Sequence, residues 1–208
     1  MTTNFAAVYR YVTPAFISTG FSQYATNCFT VMLVGFMFEA SKMGIKKMLI
    51  FFLVTQIGAM VFSILCESES TGYITAGPSC FVFAQLGGLI SLIVVNWQAL
   101  EQAGPLRICL IFMIVFILMI MLLISAGSKI AIGFYSGDIF GNLGGFLIGL
   151  FFGMAMVPAV RQQARYAGSY EKLVTKVGLG LSFFFYALMF TLTYTVKTFT
   201  CKVYYNEC

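Results

Sequence analysis

The sequence predicts an all-α, polytopic membrane helix bundle of about six spans, and three observations carry that reading. Hydrophobic residues make up 60% of the 208 positions and charged residues 9%, with a mean hydropathy of +0.94. Soluble domains sit near about 45–50% apolar and about 25% charged. Apolar runs of ~20 residues, the length needed to cross the ~30 Å hydrocarbon layer, alternate with short polar breaks. Finally, Gly133, Gly137, Gly141, Gly145, Gly149 and Gly153 recur at every fourth position. Glycine inside a helix costs about 1 kcal/mol relative to alanine. Six in register imply that another backbone comes close, the small-xxx-small logic of membrane helices.

Residues 1–21 are mildly apolar but interrupted by Arg10 and Pro14, so they read as an interfacial segment. A core of five spans is expected over residues 22–160. The first two are about 22–41 and 48–66, joined by Lys42, Lys46 and Lys47. An acidic, polar loop over 67–77 precedes the third span, about 78–98, where Pro78 suits a first helical turn. The fourth, about 106–126, is nearly all Ile, Leu, Met and Phe, which predicts a lipid-facing position. The fifth, about 138–159, carries the glycine stripe behind Asp138, a suitable N-cap. Residues 161–176 read as a basic connector, and 177–208 as a sixth span, about 177–196, with a polar tail.

Alternating the loops places Lys42, Lys46, Lys47, Arg107, Arg161, Arg165, Lys172 and Lys176 together, against Arg10, Lys129, Lys197 and Lys202 on the other side. The positive-inside rule then puts the first group in the cytosol or matrix and both termini opposite. The net charge of +5 is a topology signal of this kind and does not imply nucleic-acid binding. Cys28, Cys80 and Cys109 fall in apolar runs and read as small buried hydrophobes. A disulfide among Cys66, Cys201 and Cys208 requires an oxidising compartment. With no histidine in the chain and no Cys-x-x-Cys, no metal or cofactor is expected.

Polar residues inside spans are costly and are functional candidates by default. Here they are Gln23, Asn27, Glu39, Gln56, Ser79, Gln85 and Asn142. Ser79, Phe83, Gly87 and Ser91 follow i+4 spacing on the third span, giving it a largely small face for the glycine stripe. Ser79 and Asn142 are expected at similar depth near the outer helix ends.

In this arrangement the chain resembles the rhomboid intramembrane serine proteases over roughly residues 21–153. Gln23, Asn27, Gly35 and Glu39 fall where that family has a His-x-x-x-Asn pattern followed by Gly-x-x-x-Glu. Gly77-Pro78-Ser79-Cys80, then Gly87, matches the Gly-x-Ser-x motif of the nucleophile. Asn142, Gly145 and Gly149 match the His-x-x-Gly-x-x-x-Gly motif of the base. The resemblance implies Ser79 at the nucleophile position, Asn142 at the base position, and Gln23 with Asn27 at the oxyanion positions.

The departures from the family weigh more than the matches. A serine nucleophile needs a base with a pKa near the working pH, and the amide of Asn142 is not one. Losing the base typically costs several orders of magnitude in rate. Ser79 and Asn142 are therefore expected to form a hydrogen-bonded pair holding two helices together, and no catalytic residue is expected. Against the family's plan the first span is missing and a C-terminal one is added, which favours life inside a complex. The expected function is a non-enzymatic accessory or structural subunit of a larger membrane complex. Its partners would be other integral membrane subunits and lipids, with no nucleic acid and no small-molecule substrate. The alternative is a pseudoprotease or derlin-like protein binding transmembrane clients, and a weaker one is a protease using Ser79 with an unusual base. The mitochondrial inner membrane is the expected location, with the endoplasmic reticulum as the alternative. Gly87, Gly137, Gly141, Gly145, Gly149 and Gly153 are the expected helix-packing residues.

Overall fold

The structure is a computed structural model describing residues 9–17, 21–41, 43–66, 79–97, 100, 104–132, 139–158 and 167–204. Among these the chain is helical throughout: α1 Tyr9–Val12, a 3₁₀ turn Thr13–Phe16, α2 Phe21–Ala40, α3 Ile45–Cys66, α4 Ser79–Val95, α5 Gly104–Ile132, α6 Ile139–Met156 and α7 Ala167–Tyr204. Each of the six expected spans coincides with one of α2 to α7. Among the described residues, α3, α6 and the Lys172–Thr195 part of α7 are long and apolar enough to cross a membrane.

Two boundaries differ from the sequence reading: α5 runs on to Ile132, past the expected end near residue 126, and α7 starts early. The basic connector was expected to run to residue 176, but α7 already begins at Ala167. Hydropathy marks where a helix leaves the apolar layer, whereas backbone hydrogen bonding continues into water for as long as the residues permit it. The Tyr170 hydroxyl donates to the Val94 carbonyl at 3.3 Å, and so fixes the start of α7 to the end of α4.

The helices pack around α6. Gly58 of α3 lies against Ile148, and Gly144 of α6 lies against Phe62, so α3 and α6 run antiparallel. Gly145 meets Cys80 and Gly149 meets Ala84 at the same sequence offset, so α4 and α6 run parallel. On a third side, Gly178 of α7 packs on Phe151, Met154 and Ala155. Aromatic rings fill the rest: Phe51 stacks on Phe152 with centroids 6.3 Å apart, and Phe62 on Phe185 at 5.9 Å.

The expectation for α5 agrees with the packing. Among its described side chains, the strip Leu110, Ile114 and Ile117 is buried against the core, while Ile108, Ile111, Phe112, Val115, Phe116 and Met119 are exposed. Cys109 also lies on this open face. That corrects the reading of it as buried, because an apolar run has no marked inner side when lipid covers the rest. Cys80 is buried as expected, and Cys66 is not in a disulfide. Cys208 and the side chain of Cys201 lie outside the described residues.

Within the segment expected at the interface, the described residues 9–17 form α1 and the 3₁₀ turn. Ala15 is buried, and the Phe16 ring meets Phe52 edge-on at 6.0 Å, so this stretch packs on the flank of α3.

Two local devices have testable consequences. Gly44, between α2 and α3, has φ +72 and offers its carbonyl to the Met48 N–H at 3.1 Å. A side chain in that conformation costs about 1–2 kcal/mol. Gly44→Ala should therefore lower the melting temperature even though nothing lies near the added methyl group. The Tyr186 hydroxyl donates to the Val54 carbonyl, tying α7 to α3. Hydrogen bonds between membrane helices average about 0.6 kcal/mol, reaching about 1.7. Tyr186→Phe should lose an amount in that range, read by thermal denaturation in detergent.

Candidate functional site

The candidate site is built at one end of the α4–α6 seam. Gly145 and Gly149 present no side chain, so the Cys80 and Ala84 carbonyls approach the α6 backbone directly, and Gly87 meets Phe146 and Leu150 in return. Lower down, Gly153 sits against Ser91. The Ser91 hydroxyl donates to the Leu150 carbonyl at 2.6 Å and to the Gly87 carbonyl at 3.1 Å. At the foot of the seam, the Asn96 amide donates to Leu92 at 3.0 Å and to Pro158 at 3.5 Å.

This seam places the expected residues. Ser79 precedes Cys80 and Asn142 lies one turn before Gly145, so both fall at the same end of the parallel pair. Ser63 follows Phe62, the residue that touches Gly144, and belongs to that end as well. Asn27 lies ~3 turns before Phe38 and Ser79 ~2.5 turns before Gly88, and Phe38 and Gly88 touch each other. Four helices thus bring Asn27, Ser63, Ser79 and Asn142 to one level. Asn27 is 1% exposed, Ser63 1% and Ser79 9%.

Within that group no Ser79–Asn142 hydrogen bond is found among the described residues, and Asn142 Oδ1 is buried without a partner. Asn27 Nδ2 and Ser63 Oγ are unpartnered as well. The reason is helical drift. An i+4 row slips by about 40° at each step of a 3.6-residue turn, and the strip of α4 in contact with α6 is Cys80, Ala84, Gly87 and Ser91. The expected Ser79–Phe83–Gly87–Ser91 row shares only its last two members with it, and Ser79 sits one residue off the seam. The lock between these helices is backbone approach together with the Ser91 bond.

The remaining expected positions are distributed unevenly. Gly141 is buried on α6, while Gly133, Gly137 and Asp138 lie outside the described residues. Gln23 is in the first turn of α2, with its side chain outside them. Nothing crowds Gly35, and Glu39 is exposed at the end of α2. Gly58, Gly88, Gly144, Gly178 and Ser63 were missed. Each glycine stands alone on its own face, against Tyr186, Phe38, Phe62 and Met154 respectively, so no periodicity announces it.

Comparison with known proteins decides the family. The Rhomboid domain profile matches residues 6–159, well over half of the chain. The chain belongs to the Rhomboid family. The chain is also 25% identical over 150 residues to RHOMBOID-like protein 5 of Arabidopsis thaliana. The match covers 72% of this chain and 44% of that relative, so this rhomboid spans less than half of the relative's length. No solved structure matches. The match ends at residue 159, so α7 lies beyond the rhomboid domain. Family membership and the apolar helices make the chain an integral membrane protein.

Proposed function

We propose that this rhomboid is a non-catalytic accessory subunit of a larger membrane protein complex. The reading is carried by one observation: in a chain without histidine, the position matching the family's base is Asn142, whose Oδ1 accepts no hydrogen bond. Without a base Ser79 stays a neutral alcohol, a poor nucleophile. What the helices retain is packing, and the three-sided contact of α6 supports a scaffolding role. The proposed setting is the mitochondrial inner membrane, with the endoplasmic reticulum as the alternative.

A second reading has its own support. Asn27 Nδ2, Ser63 Oγ and Asn142 Oδ1 are unpartnered at one level, and such groups suit the backbone of an unwound transmembrane client. Native electrophoresis of mild-detergent extracts separates the two. The subunit reading expects stable comigration with a large assembly and no free species near 23.0 kDa. A free protein that captures transmembrane segments in crosslinking would favour the second. For both, a fluorophosphonate probe should leave Ser79 unlabelled, and labelling that disappears in Ser79→Ala would overturn the inactive reading.

A further inference from the structure

The helices that begin at the Asn96–Pro158 end of the bundle start with no acidic residue where a helix most favours one. α4 and α6 finish at that end, tied by the Asn96 amide on the Pro158 carbonyl, and α3, α5 and α7 start there. The first turn of a helix is its positive pole and is stabilised by acidic side chains. None of these three first turns contains one. Instead α3 opens with Lys46 and Lys47, and α5 carries Arg107 in its first turn. With Lys172 and Lys176 of α7, the described side chains at this end comprise five cations against one carboxylate, Glu39.

Arg107 differs from the lysines in how it is held. Its guanidinium carbon lies 4.6 Å from the centroid of the Trp97 ring, which links the start of α5 to the end of α4. The face of an indole attracts the cation but offers no lone pair, so the N–H donors of the guanidinium still need oxygen acceptors. No hydrogen bond or ion pair among the described residues takes them. Trp97 lies just past the end of α4 and is 45% exposed. An amphipathic indole settles at the headgroup level of a bilayer, where phospholipids supply the oxygens.

We propose that Trp97 and Arg107 form a binding site for the phosphate headgroup of an anionic phospholipid. Charge complementarity selects that occupant. A guanidinium fixed on an aromatic ring presents its donors as a planar fork that matches phosphate geometry. The lysines of α3 and α7, together with the helix poles, add a positive field that favours a net negative headgroup over a zwitterionic one. An acidic partner protein would also answer this field, but it would shield Trp97 from lipid. The site holds under either functional reading, since neither uses Trp97 or Arg107.

Trp97 is the single tryptophan of the chain, so its fluorescence reports the site without any substitution. The full chain is reconstituted in vesicles of phosphatidylcholine with a minor fraction of phosphatidylglycerol. Bromine is placed high on the acyl chains of one lipid or the other, at the same mole fraction of brominated lipid. Brominated phosphatidylglycerol should quench Trp97 several-fold more strongly than brominated phosphatidylcholine. Equal quenching by the two would overturn the site, and so would quenching by neither, the result expected if protein covers Trp97. Arg107→Gln should bring the two efficiencies together, whereas Lys172→Gln should keep most of the preference. Equal effects of these two variants would mean a diffuse field and would refute a site at Arg107.

Discussion

Gly149→Val is expected to abolish the folded bundle. A Cβ at Gly149 would overlap the carbonyl oxygen of Ala84 and come within 2.6 Å of its Cα. These are backbone atoms, which cannot rotate aside. Replacing an interior helical glycine gains at most about 1 kcal/mol of propensity. Forcing two packed backbones apart costs about 4 kcal/mol or more, the range of the severest single substitutions. The overlap wins, and even Gly149→Ala should lose most of the thermal transition in detergent. Gly35→Ala and Gly180→Ala are the matched controls: both sites have open space around the added methyl group, and both variants should melt at or slightly above the parent temperature. Equal behaviour of all three alanine variants would refute the backbone seam.

Gly178→Leu should release α7 while leaving the rhomboid core folded. A Cβ there would stand 2.7 Å from Met154 Cβ, 2.8 Å from the Phe151 carbonyl oxygen and 3.0 Å from Ala155 N. The crossing would have to open, taking with it the Tyr186 bond to Val54 and the Phe62–Phe185 stack. Limited proteolysis in detergent should then cut between residues 159 and 167 many-fold faster, yielding a protected fragment that retains α2 to α6. If the core melts together with α7, the two are one cooperative unit and the prediction fails. If the subunit proposal also holds, this variant leaves the large assembly whenever α7 supplies the contact.

Much of this arrangement was readable in advance, because a bilayer enforces simple rules. The spans followed from hydropathy, and the seam followed from Gly145, Gly149 and Gly153, whose four-residue spacing in an apolar helix points to a closely packed neighbour. Legibility ended where a contact depends on one residue. Gly144 lies beside the stripe and faces a different helix, which spacing alone cannot reveal. Ser79 appeared to belong to the seam because i+4 approximates a helical face over two turns and fails over three. Gln56 and Gln85 stood out as polar residues in apolar runs, but that both are fully buried depends on how α3 and α4 pack in the bundle. Tyr186 resembled one more aromatic ring until its hydroxyl was placed on a carbonyl of α3.

The parallel pairing of α4 with α6 also has a consequence for biosynthesis. Parallel helices cannot be neighbours in the chain, so α5 must return across the membrane before the seam can close. Cys80 leaves the ribosome 65 residues ahead of Gly145, which at about 5–20 residues per second is a wait of about 3–13 s. Through that interval the Ser91 hydroxyl lacks its Leu150 acceptor and keeps only the Gly87 carbonyl of its own helix. The insertion machinery, or a dedicated membrane chaperone, has to shelter this helix, and a chain halted after α5 should be a prompt target for quality-control proteolysis.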